Sequence, residues 1–189
     1  MKYCNQCGES VSLKIPQDDN RERHVCDACD SIHYLNPKIV AGCIPVWEDK
    51  VLLCKRAIEP RHGFWTLPAG FMEMGETTAE AAIRETLEEA NARVELQGLY
   101  VLINLPHVNQ VYMMFRAKLA DLDYSPGVES QEVQLYREDE IPWNELAFTT
   151  IRHTLRFYFE DQKRNEYRMR VGDIIREGDA YDFLPEQTG

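Results

Sequence analysis

The sequence predicts an α+β fold: a mixed β-sheet with helices packed on it, preceded by a small domain that a metal ion holds together. Three observations carry this expectation. Apolar strand-like runs outnumber helical stretches and interleave with them. Two C-x2-C pairs, Cys4 with Cys7 and Cys26 with Cys29, are separated by 18 residues near the start. The apolar residues of 1–36 are scattered, and a polar loop, "PQDDNRER", interrupts them, so metal must stand in for a core there.

Each C-x2-C pair forms a tight turn that presents two sulfurs to one tetrahedral ion, and Gly8 after Cys7 suits such a turn. The spacing is that of a four-thiolate zinc site, structural because it leaves no open position for catalysis. The alternative is two disulfides, which need an oxidising compartment. Cys43 and Cys54 sit inside apolar runs and read as small buried hydrophobes.

"NPK" at 36–38 marks a junction. "IVAGCIPVW" and "VLLCKR", parted by "EDK", read as a strand pair with a short turn. "FWTLPAGF" is a short extended piece, and residues 77–91 follow a helical pattern. "VELQGLYVLINL", "NQVYMMFRAKLA" and "EVQLYR" supply three more strands. "WNELA" reads as a short helix and "TTIRHTLRFYFEDQKR" as a longer one, whereas no periodicity emerges from Asn165 onward. The domains expected are therefore 1–36, 37–164 and a C-terminal tail, 165–189.

Charge bounds the partners. The formal net charge is −11, and the first 36 residues hold four basic against six acidic residues. Such a protein repels a phosphate backbone, so nucleic acid and anionic membranes are not expected ligands. An anionic ligand would need a bound divalent cation to invert the local field. The longest apolar run is too short to span a bilayer, and "MKYCNQCGES" has no signal-like hydrophobic region. A cytoplasmic protein is expected; a homodimer stays open.

The stretch "RETLEEANA" poses the functional question. On a helix turning about 100° per residue, Glu85, Glu88 and Glu89 share a sector about 100° wide, with Ala81 and Ala92 between them. Ile83, Leu87 and Ala90 cluster opposite, as the apolar stripe expected to anchor the helix. A solvated face would look the same. Yet residues 70–92 contain no lysine and only Arg84, where a solvated stripe would interleave cations. Oxygen-only carboxylate clusters of this kind suit magnesium or manganese.

From Gly70 the spacing runs Gly, five residues, Glu76, seven residues, Arg84-Glu85, two residues, Glu88-Glu89. This resembles the Nudix signature, G-x5-E-x7-R-E-U-x-E-E-x-G-U with U a bulky aliphatic. Thr86 replaces the first aliphatic and Ala92 is a smaller version of the last. Asn91 stands where glycine is usual; at a left-handed helix terminus it is the next most tolerated residue. None of the three removes a charge.

The resemblance implies an α/β/α sandwich and hydrolysis of a nucleoside diphosphate linked to another group. It assigns Mg2+ (or Mn2+) to Glu85, Glu88 and Glu89, with Glu76 nearby and the Gly70 carbonyl as a further ligand. Arg84 is expected to orient a glutamate through a bidentate pair. Family members often draw a general base from a loop after the signature. "PGVESQEVQLY" offers Glu129 and Glu132, and Glu132 is the expected base beside Glu89 and Arg84 in the catalytic set. Substrate phosphates would meet Arg56 or Arg61, and a base or ribose would meet Trp65, Gln110 or Tyr112. Core packing or surface solvation is an equally simple reading of these five and of Glu132.

A zinc ribbon before a Nudix domain also occurs in NADH pyrophosphatases, but their S-Q-P-W-P-F-P-x-S element is absent from "LQGLYVLINLPHVNQVYMMF". The combination of the cysteine pairs with "YLNPKIVAGC", "VLLCKRAIEPRHGFWTLPAGFMEMGE" and "ESQEVQLYREDEIPWNELAF" instead resembles plant chloroplast-type FAD and ADP-ribose pyrophosphatases. That implies FAD cleaved to FMN and AMP, or ADP-ribose to ribose phosphate and AMP. The rival is a non-enzymatic regulator with a zinc-finger-like arm. Intact signature carboxylates and a net-acidic ribbon count against it.

Overall fold

In the computed structural model, which describes residues 1–177 and 180–186, the chain divides after Pro37 into two units, Met1–Pro37 and Lys38–Gly189. The first is a three-stranded antiparallel sheet of β1 (Val11–Lys14), β2 (Arg23–Cys26) and β3 (Ile32–His33) in that order. Its buried apolar side chains are few, chiefly Cys4, Val25 and Cys26. Gly8 closes the first cysteine turn at φ 80°, donating its N–H to the Cys4 carbonyl at 3.0 Å. Only a residue without Cβ adopts that conformation freely.

The second unit is built on β4 (Lys38–Trp47), β5 (Lys50–Arg56), β6 (Trp65–Thr66), β7 (Ala69–Phe71), β8 (Val94–Leu105), β9 (Gln110–Leu119), β10 (Ser130–Tyr136), β11 (Arg170–Glu177) and β12 (Ala180–Pro185). The sheet order among described residues is β10-β5-β4-β9-β8-β11-β12, with β6 added to β5 and β7 to β4. Two pairings, β4 with β9 and β8 with β11, are parallel and the rest antiparallel, so the sheet is mixed as expected.

Helices α1 (Thr78–Ala90) and α2 (Thr149–Arg164) cover opposite faces. Side chains alternate across a strand. Ala41, Cys43, Phe115 and Ala117 pack with α1, and their neighbours Ile44 and Met114 pack with Ile151, Leu155 and Phe159 of α2. The larger core lies under α2. Cys43 and Cys54 are buried in apolar clusters, as read from the sequence.

Thr77 starts α1 through a capping box: its hydroxyl accepts from the Glu80 N–H at 3.2 Å, and its own N–H donates to the Glu80 carboxylate at 2.7 Å. Asn91 ends the helix in the left-handed region, φ 48° and ψ 25°, with its N–H on the Leu87 carbonyl at 2.8 Å. The face that α1 buries differs from the expected stripe. Ile83 and Leu87 are 40% and 48% exposed, whereas Ala81, Ala82, Thr86, Glu89 and Ala90 are buried. Small residues let the helix backbone approach β4, where the Cys43 thiol reaches the Ala82 carbonyl at 3.4 Å. Closeness to the sheet outweighs side-chain hydrophobicity, and the rotation carries Glu89 inward.

The stretch from Asn165, read as a tail without periodicity, supplies β11 and β12. Asp161 fixes its start. Arg170 donates to both Asp161 carboxylate oxygens at 2.6 Å, and the Tyr100 hydroxyl donates to one of them at 2.8 Å. "WNELA" forms a 3-10 turn over Trp143–Glu145.

Candidate active site and metal centres

In the N-terminal unit the sulfurs of Cys4, Cys7, Cys26 and Cys29 all lie within 4.8 Å of one another. Cys4 to Cys29 is 3.7 Å and Cys7 to Cys26 is 3.5 Å. A tetrahedral zinc with Zn–S near 2.3 Å needs sulfurs roughly 3.8 Å apart, so the set fits the ion. Hydrogen bonds from the Ser31 hydroxyl and backbone lower the Cys29 thiol toward the ligating thiolate, whereas bonds shared with Cys26 and Cys29 raise Cys7. Gln6 N–H adds a 3.4 Å contact to Cys4 Sγ.

In the second unit Arg84 organises the carboxylates. Its Nη2 and Nε donate to the two Glu76 oxygens at 2.7 and 3.0 Å, a bidentate pair. Its Nη1 donates to Glu85 Oε1 at 2.7 Å and Glu88 Oε2 at 3.0 Å, and Nη2 also reaches the Phe71 carbonyl at 3.1 Å. These bonds, with the Glu73 N–H, hold the Glu76 carboxyl down to about 2. The cysteine sulfurs are the one donor set of described residues that converges within 4.8 Å. The glutamates fan around the guanidinium instead.

Several features nevertheless fit a divalent ion. Glu89 is 6% exposed, and its Oε2 has no hydrogen-bond partner. Burial first, then the charge of Glu85, pushes its carboxyl up to about 8; burial also raises Glu85. A buried carboxylate oxygen without a partner is costly unless a cation approaches it. A Cβ on Gly70 would stand 2.3 Å from the Glu85 carboxylate, so glycine makes the room for that side chain. The donors are all hard oxygens, the set that magnesium and manganese take.

These groups open onto a cleft of about 1280 Å³. Of the residues singled out by sequence, Arg56, Arg61, Gly70, Arg84, Glu85, Glu88, Glu89, Gln110 and Tyr112 line it. Burial raises the Tyr112 phenol, which also feels Arg56 and Glu89. Glu76 acts on the cleft through Arg84.

Trp65 and Glu132 are placed elsewhere. Trp65 is 4% exposed, with its ring edge-on to Tyr136 at 5.2 Å, and belongs to the core. Glu132 pairs across the sheet with Lys55, 3.9 Å from its ammonium, and is absent from the cleft lining. The neighbouring candidate, Glu129, lines the cleft.

Asn91 and Gly127 set the loop that carries Glu129. Asn91 Nδ2 donates to the carbonyls of Ser125 and Pro126, each at 3.2 Å, and to the Ser125 hydroxyl at 3.1 Å. Gly127 N–H donates to the Glu89 carbonyl at 3.0 Å, so close that a Cβ would meet the Glu88 carbonyl oxygen. Phe148 and Ile174 also line the cleft and were not foreseen. An aromatic immediately before a helix is a usable signal for the first; Ile174 lies where the sequence shows no period.

Comparison with known proteins is consistent across the chain. The zinc-ribbon model described as Nudix N-terminal matches residues 2–35, and the NUDIX domain model matches residues 36–154. A NUDIX hydrolase crystal structure from Nitrosomonas europaea superposes with TM-score 0.90 at 56% identity, covering 93% of this chain and 100% of that one. An NAD-capped RNA hydrolase NudC from Edwardsiella ictaluri is 33% identical over 147 residues, 75% of this chain and 53% of its own length. An ADP-ribose pyrophosphatase from Methanocaldococcus jannaschii is 30% identical over 121 residues, 61% of this chain and 69% of its own length. The chain thus spans about half the length of the NudC proteins it matches. Among the described residues no helix is long and apolar enough to cross a membrane.

Proposed function

The chain belongs to the Nudix hydrolase family, and from that membership we propose that it cleaves the pyrophosphate of a nucleoside diphosphate derivative, ADP-ribose or FAD, in a Mg2+- or Mn2+-dependent reaction. The observation that carries the proposal is Glu89: a buried carboxylate with an unpartnered oxygen, on the signature helix, facing a cleft that also holds Arg56 and Arg61. Glu85, Glu88 and Glu89 would hold the ion, which when bound neutralises phosphate charge and lowers the pKa of an attacking water.

The protein's own groups do the rest. Arg84 orients Glu85 and Glu88 and keeps Glu76 ionised. Arg56 and Arg61 meet the phosphate oxygens, with Gln110 and Tyr112 alongside. Glu129, on the loop pinned by Asn91, stands where a general base can take a proton from water, and replaces Glu132 in that role. The cysteine centre holds zinc structurally.

Similarity to the archaeal ADP-ribose pyrophosphatase supports ADP-ribose. FAD rests on the plant-type sequence motifs. A second reading is an NAD-type substrate, free or as an RNA cap, favoured by similarity to the NudC proteins over 75% of the chain. The missing S-Q-P-W-P-F-P-x-S element places it second. A hydrolysis screen with and without Mg2+ over ADP-ribose, FAD, NADH, NAD-capped RNA and dinucleoside polyphosphates, with products identified, tests both. Faster kcat/KM on ADP-ribose or FAD is expected. A tenfold or greater preference for NADH or capped RNA favours the second reading, and no metal-dependent hydrolysis of any of them overturns both.

A further inference from the structure

Ile174 lies beyond the matched NUDIX domain, residues 36–154, yet it lines the catalytic cleft together with Leu105, Phe148, Thr149 and Thr150. Strand β11 brings it there by running parallel to β8, with Asp173 opposite Asn104. Leu105, Phe148 and Ile174 make this wall largely apolar, unlike the wall of glutamates. Phe148 also carries the Arg56 guanidinium 5.3 Å from its ring centroid. A nucleotide bears its ring a sugar's length from its phosphate, and here an aromatic surface adjoins a phosphate-binding cation.

Two polar features of the same wall lack partners. Phe148 caps the 16-residue helix α2 with no side-chain hydrogen bond, so the N-cap side chain satisfies none of the first-turn N–H groups. Thr150 is 3% exposed, and its Oγ1 has no hydrogen-bond partner. Buried hydroxyls in native proteins are almost always bonded. Thr154, one turn further on, shares the orphan hydroxyl but is absent from the cleft lining, so of the two only Thr150 stands where a ligand can bring the partner.

We propose that the first turn of α2, with Leu105 and Ile174, seats the planar heterocycle of the nucleotide substrate, and that the Thr150 hydroxyl bonds a polar atom on that ring's edge. This rests on the pyrophosphatase reading and adds the residues that choose the ring. Both adenine and flavin present acceptors at the ring edge, so the two halves of the candidate substrates are separated by test.

Thr150→Val, isosteric and without the hydroxyl, is compared with Thr150→Ser on ADP-ribose and FAD, with AMP, FMN and inorganic pyrophosphate as inhibitors. Loss of one bond in a desolvated seat is expected to raise KM about tenfold in Thr150→Val, with kcat within about threefold. Inhibition by AMP or FMN, whichever ring occupies the seat, weakens by the same factor, and inhibition by ring-free pyrophosphate does not change. Thr150→Ser keeps KM within about threefold, and the nucleotide-free melting temperature of Thr150→Val does not fall. An unchanged KM, a parallel weakening of pyrophosphate inhibition, or a melting temperature lowered by several degrees overturns the proposal. Should the wild type hydrolyse none of these nucleotides, the reaction reading fails separately. Calorimetry with AMP and FMN then tests the seat: weaker binding to Thr150→Val supports it, and equal or absent binding to wild type and variant overturns it.

Discussion

Gly70 and Glu85 share one space: a Cβ on Gly70 would stand 2.3 Å from the Glu85 carboxylate. The obstacle is the far end of a flexible side chain, so Gly70→Ala should fold while turning that carboxylate away. Mg2+ affinity and kcat are expected to fall by about 10²-fold, as from losing part of a metal's stabilisation. Melting temperature should drop by only a few degrees. Titration of Mg2+ against turnover checks this; unaltered metal dependence would show that Glu85 has no part in holding the ion.

The loop carrying Glu129 is fastened to the end of α1 by side chain and backbone. Asn91→Gly keeps the left-handed terminus but loses the amide's contacts to Ser125 and Pro126. A roughly tenfold loss of kcat with a stability change below about 1 kcal/mol is expected. Gly127→Ala is harsher, because its Cβ meets helix backbone rather than a side chain. It should cost about 1–3 kcal/mol as well as activity. Denaturant melts paired with turnover distinguish the two, and a wild-type rate in both would remove Glu129 from the mechanism.

Purified protein should carry about one equivalent of zinc on Cys4, Cys7, Cys26 and Cys29. Cys4→Ser should increase hydrogen exchange across residues 1–36 selectively, because binding energy stands in for a core there. Freely titratable thiols and no zinc in the folded protein would contradict this.

Glu89 makes metal-free stability depend on pH. Its carboxyl is raised to about 8 in the fold, so between about pH 4.5 and pH 8 the native state keeps a proton that the unfolded chain has lost. The group's contribution is most favourable below that window and is lost as pH rises through it, by up to about 1.4 kcal/mol per pH unit. Above about pH 8 both states are ionised and the slope vanishes. Glu89→Gln should flatten the profile, and Mg2+ binding to the wild type below pH 8 should release a proton. Parallel profiles for wild type and variant would contradict the assignment.

Much of this was legible in the sequence because it depends on local chemistry. The helix over 77–91, its left-handed end at Asn91 and the cysteine turns each follow from a few adjacent residues. The burial of α1 was not legible. Periodicity ranks Ile83 and Leu87 above Ala82 and Thr86, but close packing on β4 selects the small side chains. Strand β11 was missed because its pairing partner, β8, lies some seventy residues away (Arg170 opposite Val101). The sequence does not show the register shift between Ser130 and Glu132, which sets Glu132 beside Lys55 while Glu129 lines the cleft. For Trp65 the sequence leaves base or ribose contact and core packing open, and the fold packs its ring against Tyr136.

In the proposed mechanism the buried Glu89 carboxylate holds a catalytic divalent ion rather than merely filling space beneath α1. The direct measurement is Mg2+-dependent hydrolysis of ADP-ribose and FAD by Glu89→Gln, beside its melting temperature without metal. Removing the charge should cut kcat by roughly 10²- to 10⁴-fold. The metal-free melting temperature at pH 7 should stay level or rise, because a buried carboxyl group with an orphaned oxygen is gone. Wild-type turnover in the folded variant would remove Glu89 from the metal site.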